Sequence, residues 1–167
     1  MIKLIKFFLE LFDYFTEKKI LLEIKKIFSN KSQISIIDVG AHKGEYILNI
    51  LKNFKVKQGY CFEPNPSVFR ILQNNIKNKK NIEFINFGVS NSSGKIKFNV
   101  NIESSSSSIN NLNEKSNYYK KKFYLLNFLN TSNVTKVIDI EVLTLDNFMK
   151  KKGIIQIDLL KIDTEGY

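Results

Sequence analysis

The chain has 167 residues, of which 43% are hydrophobic and 25% are charged, and its single cysteine is Cys61. This length suits one domain of about 100–200 residues, and the apolar share is normal for a globular core. One cysteine excludes an intrachain disulfide and a multi-cysteine zinc site, so the chain is neither a disulfide scaffold nor a zinc finger. The predicted location is the reducing cytoplasm.

The net charge of +10 raises the question of a nucleic-acid partner. Among the 26 basic residues only Arg70 is an arginine, the residue type that reads phosphates and guanine edges with paired hydrogen bonds. All the other basic residues are lysines. We therefore favour a solvated, lysine-coated surface over a polyanionic partner, and nucleic acid is not among the predicted partners.

Residues 1–28 form the most apolar stretch, with apolar side chains at helical spacing. Charged residues interrupt the stretch, so no run approaches the ~18–20 apolar residues of a membrane span. Two interpretations stay open: a helix that packs on the sheet, or a membrane-peripheral helix that turns Lys3, Lys6, Lys18 and Lys19 toward lipid phosphates. We divide the chain into an N-terminal helical segment, 1–30, and a domain over 31–167.

From residue 33 onward, strand and helix patterns alternate. Short runs rich in β-branched and aromatic residues predict buried strands over 34–39, 59–63 and 82–87. An apolar face over 46–54 predicts the first intervening helix. Asn65 caps the second helix and Pro66 takes its first position. This order predicts an α/β fold with a parallel sheet.

The second half of the domain is less regular. Gly94 precedes a strand or hairpin over 95–100, and residues 104–122, which carry a serine run and a lysine run, predict a long solvated loop. A strand over 137–142, a short helix that Thr144 caps and Gly153 ends, and a last strand over 159–163 complete the pattern.

Glycines and carboxylates come together where the first two strands end. Gly40 and Gly44 follow Asp38 in the first turn, where small residues let a ligand approach the backbone. Glu63 ends the next strand, where a carboxylate accepts hydrogen bonds from both ribose hydroxyls. The glycine spacing is not the one that seats a pyrophosphate, which favours S-adenosylmethionine over NAD. The alternative is an ordinary turn, with Glu63 as a solvated acid.

These motifs resemble the FkbM family of S-adenosylmethionine-dependent methyltransferases. The matching pieces are 38–45, 62–65, 86–94, 95–98, the serine run from 104, 144–146 and 160–166. The resemblance covers residues 34–167. It implies a class I, Rossmann-like parallel sheet with flanking helices. It also implies methyl transfer to a hydroxyl of a sugar, glycan or natural product, so the predicted partner is a small-molecule or glycan acceptor.

The resemblance also implies where the cofactor lies. Residues expected along it, from the methionine end through the ribose to the adenine, are Asp38, Gly40, His42, Gly44, Glu63, Gly88 and Val89. In this arrangement Glu63 holds the ribose, and the last two residues lie by the adenine.

Methyl transfer to an alcohol requires removal of the hydroxyl proton, for which a general base contributes ~10²–10⁴-fold. Asp163 and Glu165 come at the carboxyl end of the last strand, and we favour Asp163 because strand ends are held more rigidly than loops. A structural role in the turn is the alternative for both. His42 is a further candidate base, but its place inside the cofactor loop favours a hydrogen-bonding role. Lys161 is interpreted as a strand-edge lysine, with the orientation of an acidic substrate group as the alternative, and no metal site is predicted.

The resemblance predicts that the sheet is incomplete at the C-terminus, because family members continue past the Glu-Gly pair at 165–166. The last strand would then lie at an unpaired edge, where the 167-residue chain is expected to aggregate or to pair with a second chain. Two alternatives to a carbohydrate-type O-methyltransferase stay open. One is a nucleic-acid methyltransferase, and the other is a non-catalytic remnant that at most binds a nucleoside.

Overall fold

The structure is a computed structural model that describes residues 16, 18–100 and 136–164. The predictions for residues 1–15, for the serine and lysine runs and for Glu165 lie outside the described residues. The strands are β1 (Ile34–Val39), β2 (Val56–Phe62), β3 (Ile82–Ile85), β4 (Gly88–Val89), β5 (Gly94–Val100), β6 (Lys136–Leu143) and β7 (Leu159–Ile162). The helices are α1 (18–27), α2 (Glu45–Asn53), α3 (Pro66–Asn75) and α4 (Leu145–Lys152).

The predicted helix caps are confirmed. The Asn65 side chain accepts a hydrogen bond from the Ser67 N–H at 3.0 Å, with proline at the first position of α3. The Thr144 hydroxyl accepts from the Asn147 N–H at 3.1 Å, and Gly153 ends α4 in the left-handed conformation. These side chains satisfy backbone donors that a helix cannot pair internally.

Four parallel strands form the central sheet, in the order β3-β2-β1-β7. The predicted parallel α/β sheet is therefore confirmed. Strand β2 begins three residues earlier than expected because Val56 already pairs with Ile34. Strand β3 ends two residues earlier, because the Asn86 amide turns away to donate to the carbonyls of Glu63 and Pro64, at 2.7 and 3.1 Å.

A smaller sheet has the order β4-β6-β5. Strand β5 runs antiparallel to β6, from Gly94 opposite Val142 to Val100 opposite Lys136. Of the two possibilities for residues 95–100, the added strand is therefore the observed one, and its partner comes from far along the chain rather than from a local hairpin.

Apolar side chains cover both faces of the central sheet. On one face, Ile34 and Ile36 of β1 pack with buried residues of α1, α2 and α3. On the other face, Ile37 and Val39 pack with Phe148 of α4. Successive side chains of a strand point to opposite faces, so Asp38, which lies between Ile37 and Val39, is on the same face as Ile36.

Helix α1 contributes Ile24 to the core, with Leu21 and Phe28 packed beside it. The packing interpretation is thus confirmed for this part of the N-terminal segment, while the membrane-surface interpretation stays a prediction. In the described ranges, 18–100 and 136–164, no helix combines the length and the apolar character needed to cross a membrane.

Strand β7 is fixed to β1 at both ends. At its start, Asp158 accepts a hydrogen bond from the Ser35 N–H at 2.7 Å and pairs with Lys31, whose hydrogen bond holds the pKa of the Asp158 carboxyl below its usual range. At its end, the Asp163 N–H donates to the Val39 carbonyl at 3.0 Å. This alignment brings the side chain of Lys161 beside the end of β1.

Candidate active site

The turn after β1 is fastened to the end of β2. The N–H groups of Gly40 and Ala41 both donate to the Phe62 carbonyl, at 3.0 and 2.9 Å. Gly40 has a φ of +75°, and a Cβ at this position would lie 2.1 Å from the Asp163 carbonyl oxygen. Glycine is therefore required both by the backbone conformation and by the close approach of the residue that follows β7.

The second glycine has a different neighbour. Gly44 precedes α2 with a φ of +90°, and a Cβ here would lie 2.7 Å from Ile76 and 2.9 Å from Leu72. We expected both glycines to make room for a ligand. In the structure, Gly40 makes room for the main chain after β7, and Gly44 makes room for side chains from α3 and its C-cap.

Glu63 is buried, and its carboxylate is oriented by the main chain. One oxygen accepts from the His42 N–H at 3.0 Å, and the other accepts from the Asn65 N–H at 2.9 Å. Burial raises the pKa of Glu63 to about 7, against the opposing effects of these two hydrogen bonds and of the Lys161 charge. A carboxylate has about four acceptor positions, so each oxygen retains capacity for one further donor.

Asp38 is fully buried at the end of β1. The Lys161 ammonium lies 3.2 Å from one carboxylate oxygen as an ion pair. Among the described residues, neither oxygen has a partner placed at the angles of a hydrogen bond. Burial raises the pKa of Asp38, and the Lys161 charge acts in the opposite direction. The site therefore contains a buried acid with unused acceptor capacity.

Lys161 connects the groups of the site. Its ammonium donates to the Gly40 carbonyl at 2.9 Å, lies 3.5 Å from an Asp163 carboxylate oxygen, and sits 5.7 Å from the centre of the Tyr46 ring. One lysine thus contacts the ends of β1 and β7 and the first turn of α2.

The candidate bases differ in their surroundings. The Asp163 side chain is 67% exposed, so an acceptor arriving from solvent can reach it. The His42 ring lies 3.4 Å from Glu45, and the His42 backbone belongs to the turn that holds Glu63. Glu165 is outside the described residues. The structure therefore places Asp163 beside the buried Asp38, with Lys161 between them.

Gly88 and Val89 follow β3 at the same edge of the sheet. A Cβ on Gly88 would lie 3.7 Å from the Pro64 ring, one residue beyond Glu63. Val89 packs in the apolar cluster that contains Ile85. The residues predicted for the ribose and for the adenine therefore lie on neighbouring segments.

A metal centre and a nucleophilic thiol are two other kinds of reactive site. Within the ranges 18–100 and 136–164, no group of three or more histidine, cysteine, aspartate or glutamate side chains is placed to hold a metal ion. Burial raises the pKa of the Cys61 thiol, as expected for a core residue rather than a nucleophile.

Sequence reasoning interpreted Lys161 as a strand-edge residue and did not predict its contacts with Asp38 and Gly40. The available signal was a single lysine in the otherwise apolar strand Leu159–Ile162, two positions before Asp163 and so on the same face. Its hydrogen-bond partner Gly40, in the turn after β1, is 121 residues away along the chain, a pairing that no local pattern reports.

A parallel sheet flanked by helices, with a glycine turn after β1 and a buried acid after β2, defines a Rossmann-like domain. The family model described as the methyltransferase FkbM domain matches residues 38–167. The chain belongs to this family.

A crystal structure of the methyltransferase FkbM from Methylobacillus flagellatus KT is similar, with 16% sequence identity and a TM-score of 0.45. The similarity covers 81% of this chain and 27% of that one, so the chain spans about a quarter of the length of that protein. No curated protein matches the sequence.

Proposed function

We propose that this protein binds S-adenosylmethionine at the edge formed by the ends of β1, β2 and β7, and transfers its methyl group to a hydroxyl of a sugar, glycan or natural product. The observation that carries the proposal is the Glu63 carboxylate, which two backbone N–H groups orient next to the Gly40 turn. Membership in the FkbM family supports the reaction type, and the choice of acceptor rests on the resemblance alone.

The residues present suit this cofactor. Glu63 would accept hydrogen bonds from the ribose hydroxyls, and Gly88 and Val89 would lie along the adenine. Asp38 has no exposed surface, so its negative charge would favour a cationic group such as the ammonium of the methionine end through electrostatic attraction rather than through a direct hydrogen bond. When bound, the cofactor supplies a methyl group activated on a sulfonium.

The chain's own contribution to catalysis is positioning and proton removal. A fixed site that aligns the acceptor oxygen with the methyl group replaces an unfavourable bimolecular encounter. Asp163, exposed at the end of β7, would take the proton from the acceptor hydroxyl as the new bond to carbon forms.

Calorimetry tests the proposal directly. We expect binding of S-adenosylmethionine and of its demethylated product S-adenosylhomocysteine, and no binding of NAD, because the turn lacks the glycine spacing that seats a pyrophosphate. Absence of binding by both adenosyl compounds would overturn the proposal. Binding without transfer to any hydroxyl acceptor would instead favour the non-catalytic alternative.

The affinity for S-adenosylmethionine is expected to rise with pH. The pKa of Glu63 is raised to about 7 in the empty site, and the ionised carboxylate is the form that accepts from both ribose hydroxyls. Below this pKa, binding must first remove a proton, so the affinity should rise by up to about tenfold between about pH 6 and about pH 8. Titrations in buffers of different ionisation enthalpy should show proton release on binding at pH 7. Equal affinity across this range would contradict the assignment of Glu63.

Asp163→Asn is expected to lower the rate of methyl transfer by about 10²–10⁴-fold while leaving the cofactor affinity within about threefold of the wild type. The substitution keeps the shape of the side chain and removes its basicity. Steady-state kinetics and calorimetry on the same preparation separate the two effects. His42→Gln is the matched comparison, and a larger rate loss in that variant would show that the base is His42.

A further inference from the structure

The Lys161 ammonium lies next to both Asp38 and the Gly40 carbonyl. The Lys161 side chain is 20% exposed. A lysine ammonium has three donor hydrogens, and the oxygens of Asp38, Gly40 and Asp163 lie within 3.5 Å of it. The ammonium therefore lies among oxygens of the chain itself, one in a hydrogen bond and two in ion pairs, so its charge acts within the site.

We propose that Lys161 is a positioning residue that keeps Asp38 ionised for the positively charged methionine end of the cofactor, and that anchors the Gly40 carbonyl at the same time. The inference rests on the proposed function. Neither the sequence around Lys161 nor the Rossmann-like fold by itself predicts that this lysine takes part in cofactor binding.

The charge around Asp38 supports this role. Asp38 has no exposed surface, and an unpaired carboxylate in such a place takes up a proton instead of remaining charged. The titratable groups that interact with Asp38 are Lys161 and Asp163 from the β7 end, Glu45 and Tyr46 from α2, and Cys61 and Glu63 from β2 and its end. Of these groups, only Lys161 is a cation, so it provides the favourable charge for an ionised Asp38.

The anchoring role follows from geometry. The Gly40 carbonyl is on the residue whose N–H is already bound to the end of β2, and the Lys161 hydrogen bond fixes the same residue from the side of β7. Lys161 thus joins the position of Asp38 to the conformation of the turn.

The first test uses chemical unfolding and does not depend on any ligand. Lys161→Met keeps the apolar stem and removes the charge. We expect the folded-to-unfolded ratio to fall at least about tenfold at about pH 8 relative to wild type, and the loss to shrink toward about pH 5. The sign follows because the variant raises the folded-state pKa of Asp38 further above its unfolded value, so the folded chain gains a proton as the pH falls.

Variants separate this effect from a loss of packing. The double variant Asp38→Asn, Lys161→Met should lose the added pH dependence, and so should Lys161→Arg, which keeps the charge. Lys152→Met is the matched control, because Lys152 forms an ion pair with Glu83 that is half exposed and away from the site. We expect a loss below about threefold there. A loss in Lys161→Met that is the same at all pH values would overturn the proposal.

The second test measures S-adenosylmethionine affinity by calorimetry. Lys161→Met should bind at least about tenfold more weakly than wild type near pH 6, with a smaller difference near pH 8, because Asp38 then ionises without help. Once Asp38 is replaced with asparagine, adding Lys161→Met should change the affinity less than about threefold. If the affinity loss of the double variant equals the sum of the losses of Asp38→Asn and Lys161→Met, in free energy, the proposal is overturned.

The two tests fail in different ways. Failure of the wild-type protein to bind S-adenosylmethionine would refute the proposed function, while the unfolding data would still report the coupling of Lys161 to Asp38. If Lys161→Met does not fold at any pH, recovery of folding in the double variant supports the proposal. Failure of both variants to fold overturns it, because the defect would then not arise from the charge on Asp38.

Discussion

Gly40→Ala is expected to eliminate cofactor binding and to lower the free energy of unfolding by about 2–4 kcal/mol. A Cβ at this position would lie 2.1 Å from the Asp163 carbonyl oxygen, and the φ of +75° disfavours any side chain. The chain relieves the clash only by moving the end of β7 away from β1, and this also separates Lys161 from Asp38. Chemical denaturation and calorimetry measure the two losses.

Gly153→Ala provides the matched control. Gly153 has a similar φ of +66°, but, its two chain neighbours aside, no atom of the described residues lies within 4 Å of the added Cβ. This variant carries the conformational cost alone, about 1–2 kcal/mol, and should bind the cofactor as the wild type does. Equal stability losses in the two variants would mean that the contact between Gly40 and Asp163 has no energetic importance.

Glu63→Ala is expected to weaken S-adenosylmethionine binding at least tenfold, because each charge-assisted hydrogen bond to a ribose hydroxyl contributes ~1.5–3 kcal/mol. The variant also leaves the N–H groups of His42 and Asn65 without their acceptor. Each unsatisfied donor costs about 1–3 kcal/mol, so the free energy of unfolding should fall as well.

A comparison with Glu83→Ala distinguishes the site from a general loss of charge. Glu83 lies on β3, and its carboxylate pairs with Lys152 while remaining about two-fifths exposed. We expect a change below about 1 kcal/mol in stability and no change in affinity for this variant. Unchanged cofactor affinity in Glu63→Ala would remove Glu63 from the binding site.

Local patterns predicted the parts of the fold that local physics determines. Strand β1 has the predicted bounds, because a short run rich in β-branched residues that ends at a glycine allows few alternatives. The caps at Asn65 and Thr144 were predicted for the same reason, since each is a contact between residues two or three positions apart. The end of β3 was misplaced because the Asn86 side chain bonds to a segment more than twenty residues away.

In the candidate site, too, local sequence predicted some features and missed those that depend on tertiary packing. Glu63 and the two glycines were predicted from their positions relative to the strands, whereas the reasons for the glycines emerged only from the packing of β7 and α3. The pairing of Lys161 with Asp38 depends on β7 lying next to β1. Local sequence patterns predict single strands, but they do not predict which strands lie next to each other in the sheet.

The hydrogen bonds of Glu63 restrict how the site can change over evolutionary time. A nucleoside with a phosphorylated ribose calls for a basic residue at this position, yet a lysine or arginine has no acceptor for the N–H groups of His42 and Asn65. Any lineage that exchanged the acid for a base would have to rebuild two turns in the same step. The proposed preference for an unmodified ribose would therefore be protected by the folding of the chain as well as by selection on the ligand.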